Sequence, residues 1–159
     1  MANPFGFDKA IENLKRVKAQ LPTILASRTR SYFLRSWDNQ GYNGGKWPEV
    51  ERRKAGTKAN KYATSAARTR AILVGNGSTK LKKAVNNSLD ICTFDMIKFT
   101  VKDVKYAKVH NEGLKAGRGA GFRMPQRQFM PIEGQTQPED LTRLQVSTIK
   151  EFVDNIFKH

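Results

Sequence analysis

The chain has 159 residues, with 29 Lys and Arg against 14 Asp and Glu and a formal charge of +15. Its length suits a single domain, residues 1–159, with a core of its own, although 38% hydrophobic content and a mean hydropathy of −0.61 make that core lean. No apolar run approaches the roughly 18 residues of a membrane-spanning helix. The single Cys92 excludes an intramolecular disulfide, and the charge asks for a polyanion or an acidic protein nearby.

The N-terminus, MANPFGFDKA, lacks a basic-then-apolar leader, so a cytoplasmic product is expected. From Phe5 to Trp37 the apolar residues Phe7, Ile11, Leu14, Val17, Leu21, Ile24 and Leu25 recur at three- and four-residue steps, continued by Tyr32, Phe33 and Trp37. This predicts one long helix or two. Asp8 suits the positive end of the helix dipole. Pro22 cannot donate to the preceding turn and clashes with it, so a kink or break is expected near Gln20 to Pro22.

Asp38 to Pro48 (DNQGYNGGKWP) is a turn-rich connector whose glycines and asparagines tolerate positive φ. Trp47 is its one large apolar anchor for the core. Glu49 to Arg70 carries Arg52, Arg53, Lys54, Lys58, Lys61, Arg68 and Arg70 against Glu49 and Glu51, with only Val50 and Tyr62 as bulky apolar groups. So little apolar surface cannot offset ordering entropy. Residues 38–70 are therefore expected to be an extended, mobile basic loop. It reads either as a contact arm for DNA phosphates or an acidic neighbour, or as a solvated charged surface.

Ala71 to Val74 predicts a short strand or a helix end, and Gly75-Asn76-Gly77 a turn. No Gly-Lys-Ser/Thr follows, so this is not a phosphate loop. Ser78 or Thr79 is placed to cap a short helix through Lys80, Leu81, Ala84 and Val85. Ser88 to Val104 alternates: Leu89, Ile91 and Thr93, then Ile97, Phe99 and Val101, share a parity, with polar residues largely between. Two strands joined near Phe94 to Met96, or one bent strand, are expected. Cys92 in that run reads as a small buried hydrophobe. Pro138-Glu139-Asp140 opens a C-terminal helix over 138–159, with proline in the first turn and acids at the positive dipole end. Leu141, Leu144, Thr148, Phe152 and Ile156 form its stripe, Ile149 and Val153 broaden it, and Lys158 and His159 close it.

The most specific stretch is Tyr106 to Met130, YAKVHNEGLKAGRGAGFRMPQRQFM. Val104 to Asn111 is a short amphipathic piece. Residues 113–121 form a glycine-rich loop, since Gly113, Gly117, Gly119 and Gly121 make ordered backbone costly. Phe122 to Ile132 resumes extended structure, at a sheet edge because Pro125 and Pro131 lack donors, and is expected to join the Ser88 to Val104 strands in one small antiparallel sheet.

Tyr106, Ala107, His110, Gly113, Pro125, Arg127, Phe129 and Met130 together resemble the phage virion morphogenesis family of tail-completion proteins, in which a "YA…H…G" turn precedes a "P-x-R-x-F" strand. Gly45-Lys46-Trp47-Pro48 is similar to the family's "G-x-W-x-P" element. Ile72-Leu73-Val74 with Gly77 and Leu81 is similar to its "ILv…G…L" element, with extra residues between Gly77 and Leu81. The resemblance implies a structural protein of the head–tail neck in the virion, made in the host cytoplasm. It implies a homo-oligomeric ring, often of six subunits, between the head connector or adaptor and the tail tube or terminator, with genomic DNA passing through the lumen.

The chemistry-bearing residues are few. His110, His159 and Cys92 do not make the three or four clustered ligands of a zinc site. No third group supports a Cys–His pair. His110-Asn111 also occurs in nuclease motifs, but those need a second His or Asn and nearby acids. We therefore expect no enzyme, no cofactor and no metal. His110 is expected to fix the turn by donating a ring N–H to a backbone carbonyl, and Arg127 to pair with an acidic side chain. Arg118 and Arg123 join the basic residues above as candidate DNA or partner contacts. The fold class expected is α+β: a long N-terminal and a C-terminal helix on a small antiparallel sheet, with basic and glycine-rich loops. The alternative function is a basic nucleic-acid-binding protein that belongs to no virion.

Overall fold

The structure is a computed structural model and describes residues 7–75 and 78–156. The elements in order are α1 (Phe7–Asn39), β1 (Gly41–Tyr42), β2 (Gly45–Lys46), a 3-10 turn (Glu51–Arg53), α2 (Lys58–Lys61), α3 (Ser65–Thr69), α4 (Lys80–Asn86), β3 (Leu89–Cys92), β4 (Ile97–Phe99), α5 (Ala107–Glu112), β5 (Lys115–Ala116), β6 (Phe122–Arg123) and α6 (Glu139–Asp154). The class is α+β, with long helices at both ends and small antiparallel sheets between. Phe5, the Gly75-Asn76-Gly77 turn beyond Gly75, and the closing pair Lys158 and His159 lie outside the described residues.

Two compact units are formed. The first comprises residues 1–32, 89–100 and 137–159. In it α6 runs antiparallel to α1. Tyr32 Oη donates to Asp140 Oδ1 at 2.7 Å, Arg28 Nη1 to Thr148 Oγ1 at 3.0 Å and Glu151 Oε2 at 2.8 Å, and Asn13 Nδ2 to the Ile156 carbonyl at 3.0 Å. As position rises along α1, its partner falls along α6. Val17, Leu21, Ala26, Leu141 and Thr148 are buried between these polar ties.

Of the kink or break expected near Gln20 to Pro22, the break does not form: α1 is one helix through that proline. An interior proline costs about 3 kcal/mol. Leu21, Pro22 and Ala26 are all buried, and burying a large aliphatic side chain returns about 1.5–3 kcal/mol, so tertiary packing carries the helix across. The N-terminal stripe is only half used, because Phe7, Ile11 and Leu14 are exposed while Val17 and Leu21 are buried. On α6 the same holds for Ile149 and Val153.

The β3–β4 hairpin also belongs to this unit, paired Leu89 to Phe99 and Cys92 to Ile97. Its turn is closed by Thr93, whose backbone N–H donates to the Met96 carbonyl at 2.8 Å. Leu89 and Ile91 face inward as the parity predicts. Cys92, expected inside, is exposed, because alternation sends it to the opposite face from Ile91.

The second unit comprises residues 33–88 and 101–136. Its core is Phe33, Trp37, Trp47, Ile72, Leu81, Val85, Val104, Ala107 and Phe129. Asn43 and Gly44, both at positive φ, make the two-residue turn between β1 and β2. Helix α4 forms as predicted, with the Ser78 hydroxyl accepting from the Lys80 N–H at 3.2 Å. Ala71 to Val74 is a turn rather than a strand or helix end, because Ile72 is pulled inward singly: its N–H donates to Gln40 Oε1 at 2.6 Å.

The single sheet expected from Phe122 to Ile132 and Ser88 to Val104 does not form. Instead β6 pairs with β5, Lys115 to Arg123 and Ala116 to Phe122, within the glycine-rich segment. The glycines supply the turn between strands too short to need another partner.

Candidate functional site

Three segments far apart in sequence meet in the second unit: Lys46-Trp47-Pro48, Tyr106 to Gly113, and Gln126 to Met130. The Trp47 indole N–H donates to the Gln128 carbonyl at 2.7 Å. Its ring meets Trp37 edge-on, centroids 5.7 Å apart, and Trp37 lies 5.3 Å from the Phe129 ring. Such aromatic pairs add about 0.5–1.5 kcal/mol each beyond burial. Arg127 is buried and donates from Nε and Nη2 to the Pro48 carbonyl. It therefore meets a backbone oxygen where a carboxylate partner was expected; Glu49 acts on it only through its field.

Asn111 is the residue that the sequence reading missed. Its side-chain oxygen accepts from the Phe129 and Met130 N–H groups at 2.9 and 3.1 Å, and its amide donates to the Met130 carbonyl at 3.3 Å. One side chain thus satisfies three backbone groups of a strand-like segment that has no ladder partner there. His110 was assigned that turn-fixing role, but its Nδ1 is buried with no hydrogen-bond partner. Its backbone takes part instead, the carbonyl accepting from the Arg127 N–H at 2.7 Å and the N–H donating to the Tyr106 carbonyl at 3.1 Å. The signal available in the sequence was Asn111 standing two residues before Gly113, which ends α5 in the left-handed region at φ 68°. A Cβ on Gly113 would also press on Gln126 Cβ at 3.0 Å, so only glycine lets the Gln126 to Met130 segment close on the helix end.

The basic segment carries a 3-10 turn and two short helices, where an extended loop was expected. Arg52 staples it: Nε donates to the Ala67 carbonyl at 2.8 Å, and Nη2 to those of Arg70 and Ala71 at 2.9 and 3.0 Å. Arg53 reaches the Thr69 carbonyl, Arg68 the Asn60 carbonyl, and Asn60 Nδ2 the Arg52 carbonyl. Thr57 and Thr64 cap α2 and α3 by accepting from the Asn60 and Ala67 N–H groups. Charge-assisted bonds to backbone carbonyls replace the missing apolar burial. Those two threonines were the overlooked helix-start signal.

Of the candidate contact residues, Lys54 pairs with Glu51 at 2.6 Å and Arg123 Nε donates to the Gly113 carbonyl at 3.3 Å. Lys58, Lys61, Arg68 and Arg118 are exposed, and Arg70 is half-buried. Of the other signature residues, Tyr106 and Pro125 are exposed and Met130 is half-buried.

Beside this knot lies a pocket of about 330 Å³. It is lined by the aliphatic Val50, Ile72, Leu73 and Val74 together with Arg52, Arg127, His110 and Tyr106. Leu73 sits at φ 58°, left-handed backbone that a γ-branched residue rarely adopts. Burial, and then the charge of Arg127, hold the His110 imidazole below its ordinary pKa. Arg52 and Arg127 are likewise lowered, chiefly by burial, Arg52 also by Arg70 and Arg53.

Among the described residues, no group of three His, Cys, Asp or Glu side chains could hold a metal ion, and no helix is long and apolar enough to cross a membrane. No family model, no curated protein and no solved structure matches the chain.

Proposed function

We propose that the chain is a structural protein of a phage head–tail neck, which completes or joins the tail by assembling as a ring, six-membered in keeping with the resemblance, around the DNA channel. Its neighbours would be the head connector or adaptor on one side and the tail tube or terminator on the other. The observation that carries the reading is the apolar surface left on the first unit. Phe7, Ile11 and Leu14 share one face of α1 by their spacing, and Val146, Ile149 and Val153 share one face of α6; all are exposed, Phe7 by 58% and Val146 by 58%. Rows of exposed aliphatic and aromatic residues in a chain of charge +15 mark surfaces that another protein covers.

The resemblance adds support of a different kind. Its residues Trp47, Arg127 and Phe129 are spent on holding the second unit together, as befits a signature of architecture rather than of chemistry. Exposed Lys58, Lys61 and Arg118 leave charge for DNA or for acidic neighbours.

Native mass spectrometry of the purified chain and reconstruction of intact particles test the proposal together. A ring in solution, and density for the chain at the neck, are expected. A chain that stays monomeric, binds DNA tightly and is missing from particles would instead favour the nucleic-acid-binding alternative.

A further inference from the structure

The exposed stripe at the start of α1 carries a pattern that is complementary to itself. Phe7, Ile11, Leu14 and Lys18 follow one another at steps of four, three and four, so they share one face of the helix. Ile11 is 52% and Leu14 41% exposed. On one flank of the stripe Val17 is buried. The other flank carries Asp8 and Lys15, both exposed and two helical turns apart. Among the described residues neither makes an ion pair. Lys18 holds its ammonium 5.5 Å from the centre of the Phe94 ring, which is itself exposed, so the β3–β4 turn extends the apolar surface. A parallel copy of the helix would turn Asp8 and Lys15 toward the flank of Val17, which is already buried. An antiparallel copy answers every group by one two-fold rotation. With Ile11 against Leu14 of the second copy, Phe7 falls opposite its Lys18 and Asp8 opposite its Lys15, and each contact occurs twice. An unrelated apolar face would cover Ile11 and Leu14 alone; the order of the charges is answered by the stripe itself.

We propose that this face of α1 binds a second copy of the chain, as an antiparallel helix pair whose two-fold axis passes between Ile11 and Leu14. Ile11 and Leu14 of both chains form the centre of the contact. The Phe7 rings meet the Lys18 side chains at its ends, where a cation over an aromatic face is attracted, and Asp8 and Lys15 bridge the open flank. Two-fold contacts of this kind are the commonest in symmetric assemblies. The stripe spans only about 18 Å, so the interface is small and the dissociation constant is on the order of 0.1 mM. The inference goes beyond the ring proposed above. A two-fold pair closes on itself, and it leaves the exposed Val146, Ile149 and Val153 face of α6 for other contacts.

The test is sedimentation velocity of the full chain from about 0.01 to about 1 mM, a range that brackets the expected constant. About 0.15 M salt screens the repulsion between two chains of charge +15. A reversible monomer–dimer equilibrium is expected. Ile11→Glu should remove the dimer, because it sets carboxylates at the centre of the contact. Ile11 is exposed, so this variant should melt at the same temperature as the dilute parent. Ile149→Glu, on the α6 face, should leave the dimer as it is. Asp8→Lys alone places two cations on each open flank, and Lys15→Glu alone two anions. Each of these variants should pair about fivefold more weakly than the parent. Mixed one to one, they restore both opposite-charge contacts, and should pair with each other about as tightly as the parent does with itself.

A chain that stays monomeric at about 1 mM, a dimer that survives Ile11→Glu, or a dimer lost with Ile149→Glu overturns the assignment of this surface. A mixture that pairs no better than its two components overturns the antiparallel arrangement. A ring that forms unaltered in Ile11→Glu overturns the pair and leaves the neck reading standing. A dimer that responds as expected, in a chain missing from particles, does the reverse.

Discussion

Arg127 reaches across 79 positions of sequence to the carbonyl of Pro48, donating from Nε at 3.1 Å and from Nη2 at 3.0 Å. A planar guanidinium can aim two N–H groups at one oxygen, and a lysine ammonium cannot hold both positions. This contact ties the Gln126 to Met130 segment to the connector that carries Trp47, which in turn donates to Gln128. Arg127→Lys is expected to cost about 2 kcal/mol, the range for hydrogen bonds to a charged group, read as a shift of the urea midpoint. An unchanged midpoint would mean that the fork contributes nothing.

Asn111 and His110 are neighbours with opposite expected sensitivities. Asn111→Ala orphans the buried Phe129 N–H and the part-buried Met130 N–H and is expected to cost about 3 kcal/mol, at about 1–3 kcal/mol per unsatisfied group. Asn111→Asp keeps the acceptor for Phe129 and Met130 but sets a buried carboxylate oxygen against the Met130 carbonyl, where the amide donated at 3.3 Å, so it too should destabilise, by about 1–3 kcal/mol. His110→Phe should be neutral or stabilising. Parallel urea denaturation of the three variants orders them, and a His110 variant less stable than Asn111→Asp contradicts the assignment.

The same histidine sets a pH dependence. Its folded-state pKa lies below the ordinary value of 6.5 because burial disfavours the imidazolium and Arg127 repels it. Above that value the ring is neutral folded and unfolded, and contributes no difference. As pH falls below it, the unfolded chain takes the proton first, so stability declines until the depressed folded value is passed and then levels off. Stability of the parent should therefore drop from pH 7.5 to pH 5 by more than that of His110→Phe. Parallel curves would remove His110 as the source.

Pro22 offers a test of how α1 survives its own sequence. Pro22→Ala restores a donor to the Lys18 carbonyl and relieves the ring clash, worth up to about 3 kcal/mol. It also gives up part of a buried ring, so a net gain of about 1 kcal/mol is expected, seen as a raised melting temperature. A loss would mean that the proline packs better than it disrupts.

Association with DNA, if it follows charge, should rest on the exposed lysines rather than on the arginines that hold the basic segment together. Lys58→Ser with Lys61→Ser should reduce the slope of log K against log salt by about 1.8, at about 0.9 per phosphate contact. Arg52→Ser should instead lower stability, because Arg52 spans three carbonyls. Filter-binding at several salt concentrations, alongside thermal melts, distinguishes the two. A slope left unchanged by the lysine pair turns their surface toward protein or solvent.

Local pattern determined much of this protein. The 3.6-residue stripes of α1 and α6, the alternation of Leu89 and Ile91 against Asp90, the turn-rich character of Asp38 to Pro48 and the lone Trp47 were legible because each depends on neighbours a few positions away. Partner choice across long separations was not legible. That Arg127 takes the Pro48 carbonyl, that Asn111 holds Phe129 and Met130, and that Arg52 closes on Ala67, Arg70 and Ala71 are outcomes of chain folding, since a guanidinium or an amide accepts any correctly placed carbonyl. Periodicity likewise could not tell which part of a stripe is covered: Val17 and Leu21 are buried while Phe7, Ile11 and Leu14 are exposed. The spacing of apolar residues fixes which face they share, and only the tertiary contacts decide how far along the helix that face is covered.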